Sequence, residues 1–388
     1  MEELIKKHNK LKGHIKDPSK LIELINTVVN EAQEEGLFNL QKGGDIEDEL
    51  CEDMSKLSIN EKCSWHDKDF KFECKPPLED LFKQVEYIET LPQPEQRTPE
   101  WYKMRDQRVT ASVAGAIVGM NPHQSRDDTL RDKLGLGKPF SGFVATEHGT
   151  RMEEIATMLY EIETGKPVTE FGLVPHPYIP FIGASPDGIT RDGIMLEIKC
   201  PKTRAIKTTG TLEDVPKYYW AQMQMQLEVC MLEVCDFLQC KLYEYISKDE
   251  FVGDLPNKKT KCGYLYMWDT MYKKPAYIYP KADMFTKNLK TEEEQREYMK
   301  KLDKWAKDEI DKSDKERYKN HYMIWWRNDK YACLPVQRDR EWFSKSYPIF
   351  EKFWEDVVYY RKYPEELPKY KKNDKVTTSD LNFTVCVI

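Results

Sequence analysis

The segment Gly183-Ala-Ser-Pro-Asp-Gly-Ile-Thr-Arg-Asp-Gly-Ile-Met-Leu-Glu-Ile-Lys-Cys-Pro201 constrains this chain more than any other. Ile194, Leu196 and Ile198 alternate with Met195, Glu197 and Lys199, which is the period of a β-strand. That period puts Glu197 and Lys199 on one face. Asp187 precedes them in a Pro-Asp-Gly step that reads as a turn. A Glu-x-Lys pair on a strand is, alone, an ordinary surface ion pair of little energetic weight, and Pro-Asp-Gly alone is an ordinary hairpin signal. Together they bring two carboxylates and an ammonium near one point. Hard oxygen ligands of that kind hold Mg²⁺, and a neighbouring lysine can orient or help deprotonate an attacking water, so the combination suits metal-dependent hydrolysis of a phosphodiester.

Composition bounds the remaining choices. The 388 residues allow one large or two ordinary domains with a sizeable core. Charged residues make up 33% of the chain, and no stretch approaches the roughly 18 apolar residues of a membrane span. The opening Met-Glu-Glu-Leu-Ile-Lys-Lys lacks the apolar region of a signal peptide. The ten cysteines include no Cys-x-x-Cys and read as reduced thiols; Cys230, Cys235 and Cys240 recur every five residues, a spacing that does not suit an iron–sulfur cluster. The net charge of −7 is not that of a general nucleic-acid coater. Lys199, Lys202, Arg204 and Lys207 nevertheless offer a local basic strip beside the acids, or else a solvated loop.

Along the chain, Leu21–Val29 has helical spacing with a stop by Gly36, and Gly43-Gly44 with the acidic run Asp45 to Asp53 reads as a loop or link. Pro92, Pro94 and Pro99 mark a boundary. Trp101 to Met120 reads as a helical start rich in small residues. From Glu147 to Thr164, Met152, Ile155, Ala156, Leu159 and Ile162 follow helical spacing, and Gly165 with Pro167 ends that helix. Strands are expected near Ile179–Ala184 and Ile194–Cys200, joined by the Pro-Asp-Gly turn. Tyr218 to Phe237 reads as a long buried helix, Tyr264 to Trp268 and Ala276 to Tyr279 as strands, Lys287 to Asn320 as one long exposed helix, and Trp342 to Lys362 as an aromatic-rich helix. No repeat is evident.

Ser185-Pro-Asp-Gly188 followed by Leu196-Glu-Ile-Lys-Cys-Pro201 resembles the YqaJ-type viral recombinases, the lambda-exonuclease branch of the PD-(D/E)xK nucleases. Three further pieces stand in the family's order. Trp101-Tyr-Lys-Met-Arg105 leads into Val109-Thr-Ala-Ser112, Gly149-Thr-Arg-Met-Glu153 is similar to the family's Gly-x-x-x-Glu, and Tyr219-Trp-Ala-Gln-Met-Gln224 is similar to its closing glutamine helix. The resemblance spans residues 97 to 240 well and the chain to about 365 more loosely. It implies an α/β fold with a PD-(D/E)xK restriction-endonuclease-like core, a central mixed sheet flanked by helices. The domains expected are a mostly helical accessory extension over residues 1–95, a nuclease domain over 96–370 and a tail over 371–388.

The resemblance also assigns roles. Asp187, Glu197 and the Ile198 carbonyl become metal ligands with Glu153 as the third carboxylate; Glu154 and Glu147 are the neighbours that compete with it. Lys199 becomes the catalytic lysine and Gln222 its helper, with Gln224 as the alternative. Arg105 and Ser112 are expected to bind a 5′ phosphate, with Arg108 as a competitor, and Ser185 to add a phosphate hydrogen bond. The implied cofactor is Mg²⁺, two ions, with Mn²⁺ able to substitute. The implied activity is 5′-to-3′ exonuclease digestion of duplex DNA in viral recombination, repair or replication. Alternatives are an endonuclease of the same fold, acting on DNA or as an RNA-degrading shutoff factor, and a non-catalytic DNA-binding protein. Implied partners are double-stranded DNA ends and a single-strand annealing protein, with no membrane and a ring trimer as the oligomer. The location expected is intracellular, in host cytoplasm or nucleus, and the source a large DNA virus of eukaryotes.

Overall fold

Asp80 caps the first described helix of the computed structural model, its side chain accepting from the Phe82 N–H. The structure describes residues 74–76, 78, 80–137 and 144–369, all within one unit, Phe72–Ile388. That helix, α1 (Leu81–Thr90), is followed by α2 (Pro99–Asp106), β1 (Val109–Thr110), α3 (Ala111–Ile117), α4 (Arg126–Lys133) and α5 (Val144–Thr164). Next come β2 (Val168–Thr169), β3 (Val174–Pro175), β4 (Ile182–Ala184), β5 (Gly188–Thr190), β6 (Ile194–Lys199), α6 (Lys217–Cys230), β7 (Val234–Glu244) and α7 (Lys248–Gly253). The remainder is β8 (Lys261–Asp269), β9 (Lys274–Ile278), α8 (Glu292–Lys312), β10 (Tyr318–Gln337) and α9 (Arg340–Lys362).

The expected α/β architecture is present. Seven strands form a mixed sheet in the order β2-β5-β6-β7-β10-β8-β9, and three short ones form a second sheet, β1-β4-β3. Among the described strands, parallel pairing is confined to β6 with β7 and β1 with β4. Helix α5 lays Met152, Ile155, Ala156 and Leu159 against Leu196 and Ile198 of β6 and Leu238 of β7, in a cluster that continues to Trp325 and Trp326 of β10. This packing fixes Glu153, one residue beyond the buried Met152, close to the strand that carries Glu197. Gly165 ends α5 at a φ of +70°, its N–H returning to the Glu161 carbonyl at 2.8 Å. The seven cysteines among the described residues are free thiols. No described helix is long and apolar enough to cross a membrane.

Several expected elements are redrawn. Trp101 to Met120 is two helices, because Val109 and Thr110 leave the helix to pair with Ile182 and Gly183 of β4. The Pro-Asp-Gly step does not join two strands of one hairpin. Ala184 ends a strand of the small sheet, and Asp187 leads into β5 of the large one. The reversal before β6 is made by Asp192-Gly193 instead, with Gly193 at a φ of +79° and its N–H on the Thr190 carbonyl at 2.9 Å.

The long helix expected over Tyr218–Phe237 stops at Cys230, where Met231 adopts a left-handed φ of +51° and the chain turns into the eleven-residue β7. The exposed helix expected over Lys287–Asn320 is α8 alone, capped by a Thr291/Glu294 box, with Tyr298, Leu302 and Ala306 buried as a stripe. It is followed by the twenty-residue β10. The helix expected at Leu21–Val29, its stop near Gly36, the acidic run Asp45 to Asp53 and the tail 371–388 lie outside the described residues.

Helix α1, on the N-terminal side of the expected boundary at residue 95, packs into the same core. Val85 and Ile88 of α1 are buried in the core, and Gln84 Nε2 donates to the Cys230 carbonyl at 2.9 Å. The Pro94 carbonyl accepts from the Leu173 N–H at 3.2 Å. Burial of a Val or Ile side chain stabilises by roughly 1.5–3 kcal/mol. A chain starting at Gln96 is therefore expected to melt roughly 10 °C or more below one starting at Phe72, at about 2–4 °C per kcal/mol for a domain of this size. Equal melting temperatures in differential scanning fluorimetry would show that α1 adds nothing to the core.

Candidate active site

Strand β6 delivers Glu197 and Lys199 to the same side of the sheet. Glu197 is fully buried. Its Oε1 accepts from Lys199 Nζ and from Gln222 Nε2, the latter at 2.8 Å, and its Oε2 accepts from Gln226 Nε2 at 2.7 Å. Strand β5 pairs antiparallel with β6, Gly188 opposite Leu196. This register sets Asp187 beside Ile198, whose N–H donates to Asp187 Oδ2 at 2.6 Å, while the Asp187 N–H donates to the Leu196 carbonyl at 3.2 Å. Gly188 is required at this step because a Cβ there would stand 2.2 Å from Val168 Cγ1 of β2.

Glu153 reaches the same centre from α5, ion-paired with Arg97 at 3.1 Å. Burial, then repulsion from Glu197 and Glu153, pushes the Asp187 carboxyl well above the ordinary carboxylate range, although Lys199 and the Ile198 N–H act against the shift. Burial raises the Glu153 carboxyl too, against the pull of Arg97 and Lys199. Burial works against charge on Lys199, but Glu197 and Asp187 outweigh it and hold the ammonium above its usual range. The ammonium also lies 4.9 Å from the Tyr219 ring centroid, a cation–π contact.

The alternatives separate cleanly by direction. Glu154 has Glu170, Glu161 and Glu153 as its charged neighbours, and Glu147 is exposed, whereas Glu153 is the α5 acid that Asp187 and Lys199 feel. Gln224 turns the other way: its Nε2 donates to the Gln337 carbonyl at 2.9 Å and its Oε1 accepts from the Asp339 N–H at 2.6 Å. Gln222 alone of that pair faces Glu197.

Arg105 donates to Ser112 Oγ at 3.1 Å, and its guanidinium carbon lies 4.3 Å from the Trp101 ring centroid. Trp101 Nε1 in turn donates to Ser185 Oγ at 3.1 Å. One tryptophan thus links Arg105 to the loop before Asp187, and Arg105, Ser112 and Ser185 form one continuous patch. Arg105, Tyr102, Thr110, Thr129 and Lys133 line a cleft of about 280 Å³, shared with Asp106 and Asp132. Lys133 Nζ donates to the Arg105 carbonyl at 2.5 Å, and burial, then Arg105, lowers its ammonium to about 8. Arg108 instead folds back, donating to the Met104 carbonyl at 3.2 Å.

Of the basic strip, Lys202 and Lys207 are exposed while Arg204 donates to Gln239 Oε1 at 2.9 Å. Lys241 ties the loop down through the carbonyls of Pro201, Lys202 and Arg204 at 3.0, 2.6 and 3.2 Å.

Four contributors escape the sequence motifs or their assigned roles. Gln226 stands four residues after Gln222, hence on the same helix face, and that spacing is the signal for it. Tyr219 and Trp101 stand inside the quoted motifs without a role. Arg97 carries no local pattern; it is an exposed loop residue at a φ of +67°.

The donor set is three carboxylates of hard oxygen, the chemistry suited to Mg²⁺ or Mn²⁺. Mutual repulsion of Asp187, Glu197 and Glu153 leaves a site that further positive charge would stabilise, so the residues fit such an ion. Among the described residues, no group of three or more His, Cys, Asp or Glu stands as a ready-made cage.

Residues 100–233 match the model of the YqaJ-like viral recombinase domain. That stretch runs from α2 to the end of α6 and contains Arg105, Ser112, Glu153, Ser185, Asp187, Glu197, Lys199, Gln222 and Gln226. A protein of Acanthamoeba polyphaga mimivirus is 32% identical over 333 residues; this covers 74% of the chain but only 57% of the mimivirus protein, so the chain spans little more than half of that relative's length. An African swine fever virus protein is 21% identical over 348 residues, covering 75% of this chain and 96% of its own. Among solved structures, the alkaline exonuclease LHK-Exo from Laribacter hongkongensis is 21% identical with a TM-score of 0.39, over 69% of this chain and 96% of that one.

Proposed function

We propose that the protein is a divalent-metal-dependent nuclease that digests duplex DNA from 5′ ends by phosphodiester hydrolysis. The observation that carries this reading is the convergence of Asp187 and Glu153, both half-buried, with the buried Glu197 and with Lys199, in a stretch that matches the YqaJ-like recombinase domain. Asp187, Glu197, Glu153 and the Ile198 carbonyl are the groups that would hold Mg²⁺ or Mn²⁺. When bound, such an ion supplies Lewis acidity to a phosphoryl oxygen and acidity to a water.

The protein's own residues do the rest. Gln222 and Gln226 hold the Glu197 carboxylate in one orientation from α6. Lys199, kept charged by Glu197 and Asp187, places an ammonium where negative charge builds up on the phosphorane. The Ile198 N–H holds Asp187 in place. The residues 72–369 form the catalytic unit in this reading, with residues 1–71 an accessory extension and duplex ends the substrate.

Arg105 and Ser112 are proposed to take the 5′ phosphate. A guanidinium stacked on Trp101 is pre-oriented for a bidentate contact, and Lys133 adds a second cation to the same cleft. Wild-type protein is expected to digest 5′-phosphorylated duplex faster than 5′-hydroxyl duplex. Arg105→Ala should erase most of that preference, on the order of 10-fold for a lost charge-assisted hydrogen bond. Binding to duplex away from ends should change little, since one phosphate contact among many contributes little there. Equal rates on both substrates with wild-type protein would reject the end-capture role; an unchanged preference in Arg105→Ala would move that role away from Arg105.

A further inference from the structure

We propose that Gln226 is a positioning residue that locks two acids, Asp187 just before β5 and Glu197 on β6, into the relation a metal ion needs. The inference rests on the metal-site reading above and names the residue that pre-sets it. Gln226 is fully buried on α6. Its Nε2 donates at 2.7 Å to Glu197 Oε2 and at 3.3 Å to the Ser185 carbonyl. Ser185 lies two residues before Asp187, so one amide ties the loop that carries the first acid to the side chain of the second.

Among the described residues no other side chain holds both groups. Lys199 and Gln222 both address Glu197 Oε1, whereas Gln226 is the only donor to Oε2 among the described residues. The direction of the amide is also dictated. Turned over, its oxygen would face a carboxylate oxygen, acceptor against acceptor. In the orientation adopted, Gln226 Oε1 is buried with no hydrogen-bond partner. An orphan acceptor in a core is destabilising, and an apolar side chain of the same length would pack without it. What the amide contributes here is its nitrogen, which holds Glu197 Oε2 and the Ser185 carbonyl.

A carboxylate held by outer hydrogen bonds ligates without first losing rotational freedom, and removing such support commonly weakens metal affinity by about 10–100-fold. Calorimetric titration of Mn²⁺ into wild-type, Gln226→Met and Gln226→Asn full-length protein tests the proposal. Methionine keeps the length without the donor; asparagine keeps the amide on a stem too short to bridge Glu197 and Ser185. Both variants should bind Mn²⁺ about 10–100-fold more weakly than wild type while remaining folded by circular dichroism. A purely structural role would lower the melting temperature and leave the midpoint for the folded protein where it was. Midpoints within about twofold of wild type in a folded variant would overturn the proposal. So would failure of both variants to fold, which would make Gln226 a folding residue. Absence of Mn²⁺ uptake by wild-type protein would instead overturn the metal-site reading itself, a different result from equal binding by wild type and variants.

Discussion

Glu197→Gln and Asp187→Asn are each expected to reduce metal-dependent cleavage of duplex DNA by on the order of 10³-fold or more, while leaving DNA binding within a few-fold of wild type. The loss exceeds the 10²–10³ that follows removal of a single electrostatic donor, because a charged ligand goes and the remaining acids cannot replace it. Asp187→Asn keeps the acceptor oxygen that its neighbour uses, and Glu197→Gln keeps one of the two that its neighbours use, losing the acceptor for either Gln226 or the Lys199–Gln222 pair. In Asp187→Asn the amide oxygen can still accept from the Ile198 N–H, which stands 2.6 Å from Asp187 Oδ2 in the wild type. In Glu197→Gln the amide oxygen can still accept from Lys199 or Gln222. Loss of activity with retained fold and retained gel-shift affinity is the expected combination. Hydrolysis near the wild-type rate in either variant would remove that residue from the site.

Lys199→Ala carries the second large effect and a different signature. Lys199 donates to a carboxylate rather than offering an acceptor, so it cannot ligate a cation. Its loss should lower turnover by about 10²–10³-fold, as for a missing charge stabiliser. Metal affinity should hold or improve, because Glu197 Oε1 is freed from a competing ammonium. Calorimetry on the variant separates the two roles: metal binding lost together with activity would mean that Lys199 organises the site instead of acting on the substrate.

The residues that the structure brings together were more legible in the sequence than the fold around them. A period-2 run fixes which side chains share a face, so Glu197 and Lys199 could be paired from residues 194–199 alone. Helical spacing likewise supplied α5 and its stop at Gly165. What the local pattern does not contain is where strands go. The Asp187 step looks like a hairpin because Pro-Asp-Gly usually makes one, yet the two strands it connects belong to different sheets.

The end of α6 was hidden for a physical reason. Leu227, Val229, Met231 and Leu232 continue an apolar run with no glycine or proline, and Met231 takes the left-handed position that glycine usually marks. Strand β10 was hidden by its own irregularity. It is paired on both sides, with register breaks at Lys319/Tyr322 against β8 and at Asn328/Lys330 against β7, which erase the simple alternation over its twenty residues. Gln226 was legible in principle, four residues from Gln222 on one helix face. Arg97 was not, since nothing local says that a loop arginine will meet Glu153 across 56 residues of chain.

The most direct test of the central claim compares linear 5′-phosphorylated duplex DNA with a covalently closed circle of the same sequence, each incubated with wild-type protein in Mg²⁺ and again after EDTA. Progressive shortening of the linear duplex from its 5′ ends, an intact circle, and complete loss of cleavage in EDTA are the predicted results. Cleavage that survives EDTA would contradict the metal site built on Asp187, Glu197 and Glu153, and cutting of the closed circle would contradict action from DNA ends.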